Sequence, residues 1–417
     1  MAITILIFIV ILGILVFVHE FGHFVVARKS GMKVDEFGFG FPPRAFGIQV
    51  LKENKIISSS KTETITESET DIKTAEGEVV LEKIVDVVKE SQEVIPRKKW
   101  HFIWSHKPPL DPDETVYSIN WIPFGGFVKI RGENNENEED PRSFINRPFG
   151  GRLATLVAGV AMNFILAWVL ISVGFVVGLP AAVGSPSEFS KYAKLKDPQV
   201  AIMEVVPNFP AAKAGILAGD ILKSVDGKVF SQIEQAQSYI QQNAGKEFVF
   251  VVNRAGQDLE IKIPSIAKPK QGEGPTGIAL SNIGKITVPW YIAPWEGAKT
   301  TVLQVYNIGY GIYQLVTAKL GWSAVGGPIK IAQLTGQVSR MGFDYLLQFT
   351  AFLSLNFAIL NILPFPAFDG GRVLFLIIEK IRGKKNNQKV EQYVNTAGFV
   401  FLILLMILVT IKDIRGV

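Results

Sequence analysis

An apolar segment near the N-terminus contains the pattern that most constrains this chain. Residues 3–18 are almost purely Ile, Leu, Val and Phe, and the apolar run continues through residues 24–27, after the pentad His19-Glu20-Phe21-Gly22-His23. About 20 such residues are enough to cross a bilayer as a helix. A charged or strongly polar residue in hydrocarbon costs about 2.5–3.5 kcal/mol, so polar groups inside such a segment are functional by default. We therefore expect a membrane helix that carries a functional site.

The spacing of the two histidines and the glutamate is that of a zinc site. On a helix His19 and His23 share a face, so both imidazoles can reach one metal, and Glu20 stands beside the water that such a metal activates. A carboxylate at that place can take the proton of the attacking water. The pattern predicts two zinc ligands and a general base. Chance is the alternative, and the position inside an apolar segment argues against it.

Composition indicates a membrane protein with soluble parts. The chain has 417 residues, of which 48% are hydrophobic, which is too long and too apolar for one soluble domain. It contains no cysteine, so any zinc site must use histidine and carboxylate. Only Met1 and Ala2 precede the first apolar run, and no small-x-small cleavage pattern follows it. We therefore interpret that run as a retained helix rather than a signal peptide.

Three further segments have membrane length, at about 153–179, 346–363 and 396–411. Residues 207–227 resemble the signature of PDZ domains in bacterial proteases. We therefore expect a multipass α-helical membrane protein with about four transmembrane helices, a membrane-associated β region and one PDZ-like α+β domain. The predicted divisions are a first transmembrane helix (1–28), a cytoplasmic or membrane-associated β region (29–150) with a polar insertion (51–115), a second helix (151–180), the PDZ-like domain (185–281), an amphipathic interfacial segment (290–340), a third helix (344–381) and a fourth (394–412).

The distribution of basic residues predicts the topology. Lys and Arg cluster after the first span, before the second, and between the third and fourth, which makes those loops cytoplasmic and the PDZ-like domain extracytoplasmic. The net charge of +5 is small and the basic residues sit beside membrane segments, so we expect a lipid bilayer, and no nucleic acid, as partner.

A segment between the second and third spans resembles the signature of PDZ domains in bacterial proteases. It runs from Pro207 to Leu222 and is followed by Val225-Asp226-Gly227, and residues 248–252 and 259–263 read as strands. PDZ domains bind an extended peptide at an exposed sheet edge. The alternative is a small β domain that binds nothing and restricts access. For residues 294–320, rich in Trp and Tyr, an interfacial helix and a packed soluble helix both remain open.

A catalytic zinc needs a third protein ligand. His101 and His106 lie in a polar region and are poor candidates. After the third span, Pro364 and Pro366 interrupt the helix and place Asp369 at membrane depth beside two glycines. Asp369 is the expected third ligand, although by itself it suits the N-cap of the following helix equally well.

With these motifs in order, the chain resembles the site-2 protease family of intramembrane zinc metalloproteases, in the bacterial form related to the regulator of sigma-E protease. The resemblance spans almost the whole sequence. It implies zinc ligation by His19, His23 and Asp369, with Glu20 as general base. It also implies that Asn361, in N-x-x-P-x-P-x-x-D-G, and Asn163, in the second span, contact the substrate. The family's G-P-x-x-N motif lacks its proline here, since residues 159–163 read Gly-Val-Ala-Met-Asn.

The resemblance implies hydrolysis of a peptide bond in or near the transmembrane segment of another protein, in regulated intramembrane proteolysis or in clearance of signal-peptide remnants. Single-span membrane proteins are the implied substrates and a bacterial inner membrane the implied location. The PDZ-like domain would admit substrates already shortened outside. The alternatives are a non-catalytic membrane scaffold, against which the complete ligand set argues, and a cation carrier, against which the lack of internal repeats argues. For residues 51–115 we expect a solvated spacer, with a short amphipathic helix near 80–88.

Overall fold

A computed structural model describes residues 2–57, 93–105, 107–133, 139–183, 191–206, 208–230, 233–254, 256–267, 274–319 and 325–415. The amphipathic helix expected near 80–88 and residues 58–70 of the insertion lie outside these ranges. Within them the helices are α1 (Ala2–Lys29), α2 (Phe149–Val177), α3 (Pro210–Lys213), α4 (Ile233–Gln242), α5 (Ala293–Val316), α6 (Pro328–Met341), α7 (Phe343–Ile362), α8 (Asp369–Arg382) and α9 (Gln388–Arg415).

Two antiparallel sheets complete the described architecture. The first has the strand order β2-β1-β3, from β1 (Val34–Ile57), β2 (Glu93–Trp104) and β3 (Val116–Ile130). The second has the order β4-β9-β5-β6-β7-β8, from β4 (Leu179–Val183), β5 (Lys194–Val205), β6 (Ile221–Val225), β7 (Glu247–Arg254), β8 (Gln257–Pro264) and β9 (Ile278–Thr287).

Four of the described helices, α1, α2, α7 and α9, are long and apolar enough to cross a membrane. Helix α2 is central, since it packs against α1, α5, α7 and α8. It approaches α1 closely: a Cβ added at Gly22 would lie 2.5 Å from the carbonyl oxygen of Ala158. Small residues at such contacts are typical of helix pairs in membranes. These four helices fit a membrane protein.

The first sheet packs against the second half of α1. Phe24 and Ala27 of α1 share a buried cluster with Val34 of β1 and Ile130 of β3. The predicted insertion contributes to this sheet, because residues 51–57 continue β1 and residues 93–104 form β2, which pairs with β1 along its length. Part of the segment expected to be a solvated spacer is therefore ordered as a strand pair.

The PDZ-like domain is built on strands of the second sheet, and the same sheet extends to the apolar helices. Strands β7 and β8 form a hairpin that includes the two predicted strands, and a buried cluster that contains Phe248 and Phe250 packs with residues of α4. Strands β4 and β9 extend this sheet to a second cluster, where Leu179 and Ile286 pack with α2 and α7. The pairing of β4 with β9 was not predicted.

The segment expected at the membrane interface contains two helices, α5 and α6. Helix α5 packs against α2, and Ala293 in its first turn is buried there. Trp295 and Tyr306 of the same helix are exposed. One side of α5 is packed and the other carries exposed aromatic residues, which is consistent with a helix at the membrane interface. The interfacial position itself stays a prediction.

An ion pair inside the PDZ-like domain is expected to contribute to its stability. Asp220 is 1% exposed, and its carboxylate accepts hydrogen bonds from Arg254 at 2.7 Å and from the N–H of Leu217 at 2.9 Å. Burial alone would raise the pKa of Asp220, but these hydrogen bonds and the charge of Arg254 outweigh burial and hold that pKa below its usual value. The stabilisation is therefore present above the unfolded pKa of about 3.9 and is lost as the pH falls through the lower folded pKa.

Arg254→Met should lower the free energy of local unfolding of this domain by roughly 1.5–3 kcal/mol at neutral pH, because a buried carboxylate loses a charged hydrogen-bond donor. Hydrogen exchange of the β7 amides in the full-length protein measures this loss. Lys262→Met, at an exposed position of β8, is the matched control. Equal protection of β7 in the two variants would contradict the prediction.

Candidate metal centre

Two histidine side chains of α1 point towards α2. His19 and His23 are one helical turn apart and are 4% and 7% exposed, respectively. Nδ1 of His23 lies 2.7 Å from the carbonyl oxygen of Thr155 in α2. A ring nitrogen at that distance from a carbonyl must carry the proton, which leaves Nε2 of His23 free to bind a metal.

The break after α7 brings Asp369 to the same place. The residues between α7 and α8 include Pro364 and Pro366, which cannot continue a helix, and α8 begins at Asp369 itself with Phe368 as its N-cap. Helix α9 packs tightly on this turn, since a Cβ at Gly398 would lie 2.5 Å from Cβ of Pro366. Asp369 is therefore the first residue of α8, and its carboxylate faces the two histidines rather than capping the helix.

The three donor groups have the separation that zinc requires. Nε2 of His19 lies 3.2 Å from Nε2 of His23 and 2.9 Å from Oδ2 of Asp369, and Nε2 of His23 lies 3.3 Å from the same oxygen. Tetrahedral zinc bonds of about 2.0–2.1 Å place neighbouring ligand atoms about 3.3 Å apart. Among the described residues, this trio is the one group of histidines and carboxylates that could hold a metal ion. The residues present fit zinc.

Glu20 lies beside this trio in a large cavity. The cavity has a volume of about 900 Å³, and its wall contains all three candidate ligands, Glu20 and one stretch of β3, residues 125–130. The side chain of Glu20 passes this stretch, since a Cβ added at Gly126 would lie 3.7 Å from Cγ of Glu20. The predicted general base and ligands thus share one cavity, whereas His101 lies in β2 outside the trio and His106 is outside the described residues.

The two predicted substrate-binding asparagines occupy different positions. Asn361, near the end of α7, is 9% exposed and belongs to the cavity wall. Asn163 is fully buried in α2, and its Nδ2 lies 3.2 Å from Nδ1 of His19. Within the described part of the chain, Oδ1 of Asn163 has no hydrogen-bond partner. Rotating the side-chain amide of Asn163 by about 180° would bring Oδ1 to His19. In that orientation Oδ1 accepts a hydrogen bond from Nδ1–H of His19, and Nε2 of His19 is free to bind a metal.

Asn163→Ala is expected to weaken zinc binding about 10–100-fold, because His19 loses the group that orients its ring. Asn163→Asp, which keeps an acceptor at this place, should retain more of the affinity. Competition with a chelator, followed by determination of the zinc bound per protein, measures the effect. Unchanged zinc affinity in the alanine variant, together with a raised KM, would instead support direct contact with the substrate.

The structure places three further residues at the site for which the sequence predicts no role. A Cβ added at Gly159 would overlap Nε2 of His23, so this position must be glycine. Arg372, three residues after Asp369 on α8, forms an ion pair with Glu133, and both line the cavity. The i,i+3 spacing from Asp369 could have indicated Arg372, but no local signal points to Glu133, which follows β3.

Comparison with known proteins agrees with this geometry. Peptidase family M50 matches residues 7–56 and 101–405. The regulator of sigma-W protease RasP of Bacillus subtilis is 30% identical over 448 residues, covering 99% of this chain and 98% of that protein. The zinc metalloprotease RasP of Oceanobacillus iheyensis is 28% identical over 445 residues, covering 99% of each chain.

A crystal structure of the PDZ domain of the SdrC-like protein from Listeria monocytogenes is 26% identical, covers 21% of this chain and 92% of that one, and has a TM-score of 0.19. The family match and the full-length relatives confirm the resemblance drawn from the motifs. Together with the four apolar helices, they also support an integral membrane protein. The chain therefore belongs to peptidase family M50, and it is a metalloprotease.

Proposed function

We propose that this metalloprotease binds zinc through His19, His23 and Asp369 and hydrolyses a peptide bond in or near the transmembrane segment of another membrane protein. The observation that carries the proposal is the position of the trio. Two of its members belong to α1, which is long and apolar enough to cross a membrane, and the third begins α8 directly after the apolar helix α7. A substrate must therefore reach the site at membrane depth.

Glu20 is the group that moves protons in this proposal. When bound, zinc supplies a Lewis acid that activates a water molecule and polarises a carbonyl group. Glu20 accepts the proton of the attacking water and passes it to the leaving amine, which a carboxylate beside the ligands can do without a second base.

The cavity wall supports binding of an extended substrate. A helical peptide has its carbonyl groups engaged in hydrogen bonds, so the segment to be cleaved must unwind before attack. Residues 125–130 of β3 line the cavity beside Glu20 and can pair with an unwound segment as an additional strand. Asn361, also in the cavity wall, offers an amide to the substrate backbone.

We place the protein in a bacterial inner membrane with the PDZ-like domain outside the cytoplasm, as the distribution of basic residues favours. In this orientation the PDZ-like domain restricts access to the site from the extracytoplasmic side. It admits single-span substrates whose extracytoplasmic part has already been shortened. The name of the Bacillus subtilis relative, regulator of sigma-W protease, makes membrane-bound regulators of sigma factors the first substrates to test.

Cleavage of a purified single-span substrate tests the proposal. Wild-type protein, the Glu20→Gln variant and chelator-treated protein are incubated with the substrate in liposomes, and the products are identified by mass spectrometry. We expect cleavage inside or next to the apolar segment by the wild type alone. Cleavage only in a loop far from the membrane, or equal cleavage after chelation, would overturn the proposal. A panel of externally truncated substrates tests the role given to the PDZ-like domain.

A further inference from the structure

The first sheet has an exposed aromatic face formed largely by strand β2. We propose that this face lies in the interfacial region of the bilayer and anchors the sheet beside the cavity. The proposed occupant is the phospholipid surface of the membrane in which α1 is embedded, so the inference rests on the membrane placement proposed above. It gives a function to Lys98 and Trp100, which lie at the end of the segment 57–100 that the family match omits.

The strand register places the apolar side chains on one face. Trp100, Phe102 and Trp104 alternate along β2 and are 68%, 66% and 65% exposed. Their partners on β1 are Val50, Ile48 and Phe46, respectively. Residues paired directly across antiparallel strands point to the same side of a sheet. The intervening residue Ile103 is buried on the opposite side. Six apolar side chains thus form one continuous surface.

This surface continues to the outer side of α1. Ile48 pairs with Tyr117 of β3, which in turn pairs with Phe37 in the first part of β1. The Phe37 ring lies 5.6 Å from Phe17 and 6.4 Å from Phe21 of α1, and these two phenylalanines are exposed on that helix. One row of apolar residues therefore leads from the exposed side of α1 to the aromatic face of β2.

The C-terminal end of α1 indicates the depth of this surface in the membrane. Arg28, in the last turn of that helix, donates a hydrogen bond to the hydroxyl of Tyr117 at 3.3 Å. Basic residues at the end of a span mark the headgroup region, and Trp and Tyr concentrate at the same level. Tyr117 pairs with Ile48, which is the partner of Phe102, so the aromatic face of β2 lies close to this level.

The charges around the surface fit lipid headgroups rather than an apolar protein partner. Lys98, two residues before Trp100 and on the same face, is exposed, and Lys107 is exposed just beyond the other end of β2. Lysines beside a membrane-contacting aromatic surface attract anionic headgroups. An apolar patch of this kind is rare on a surface that faces only water.

Spin labels at single cysteines test the inference, because the natural chain contains no cysteine. Phe102→Cys and Trp104→Cys are labelled in the full-length protein in liposomes that contain anionic lipid. Two reference positions bracket the result: Val10→Cys, exposed on α1, and Val229→Cys, exposed in the PDZ-like domain. Collision rates with oxygen, which concentrates in lipid, and with a water-soluble nickel chelate are measured for each label.

We expect the ratio of oxygen to nickel collisions at positions 102 and 104 to lie between the two references and severalfold above that at Val229. A ratio equal to that at Val229 would overturn the inference while leaving the proposed protease intact, provided that Val10→Cys reports lipid. If Val10→Cys also reports water, the membrane placement fails and the inference fails with it. Shielding that develops only after substrate is added, or spin–spin broadening between copies, would assign the face to substrate or to a second copy and would overturn lipid contact.

Discussion

Replacing Glu20 with glutamine is expected to lower kcat for substrate cleavage about 10²–10⁴-fold. Glutamine has nearly the same shape as glutamate but cannot take up the proton of the attacking water. The ligand trio does not include Glu20, so the variant should bind as much zinc as the wild type. The measurements are single-turnover cleavage of a membrane substrate and the zinc content of the same preparation.

Glu234→Gln provides the matched control for this substitution, because Glu234 is an exposed residue of α4 in the PDZ-like domain and is not among the residues that line the cavity. It should cleave at the wild-type rate. A Glu20→Gln variant that retains full zinc and full activity would show that another group accepts the proton. Loss of zinc in that variant would mean instead that the carboxylate supports the ligands.

Gly159→Val is expected to remove both zinc and activity, although Gly159 is neither a ligand nor a base. Its α-carbon, on α2, faces the imidazole rings so closely that an added Cβ would overlap Nε2 of His23. The same Cβ would lie 2.7–2.8 Å from ring atoms of His19. A Cβ atom does not approach a ring carbon or nitrogen of another residue to these distances, so both rings would have to turn away from the metal position.

The control for this position is on the same helix. Gly150 lies in the first turn of α2, and nothing stands within 4 Å of the place where its Cβ would be. Gly150→Val should therefore bind zinc and cleave substrate like the wild type, apart from a small change in helix propensity. The readouts are zinc per protein, cleavage rate and thermal unfolding. A Gly159→Val variant with wild-type zinc content would refute the predicted overlap.

Much of this site could be predicted from the sequence because its strongest elements are local. The 3.6-residue period of a helix puts His19 and His23 on one face wherever the helix forms. The length and apolarity of the segments predict spans, and the four long apolar helices lie where the four apolar segments were found. Pro364 and Pro366 predict a break, since a proline inside a helix removes a hydrogen bond, and α7 ends before them.

Other features depend on contacts between residues far apart in the chain. The resemblance implies that Asn163 contacts the substrate, whereas its burial against His19 leads to the prediction that it orients that ring. The ion pair of Glu133 with Arg372 joins residues 239 apart. No periodicity or composition encodes such a pairing, because the approach of α8 to the end of the first sheet is what brings the two charges together.

Ligand chemistry, helical period and apolarity are properties of short stretches, so the residues that can bind zinc and the segments that can enter a membrane are evident from the chain alone. The tertiary structure brings Oδ2 of Asp369 within 2.9 Å of Nε2 of His19, which is 350 positions away in the chain, and it sets Gly159 against the imidazole rings. It also decided that β2 adds an aromatic face to the first sheet. Those facts follow from how α1, α2, α8 and the first sheet pack, and packing depends on the whole chain at once.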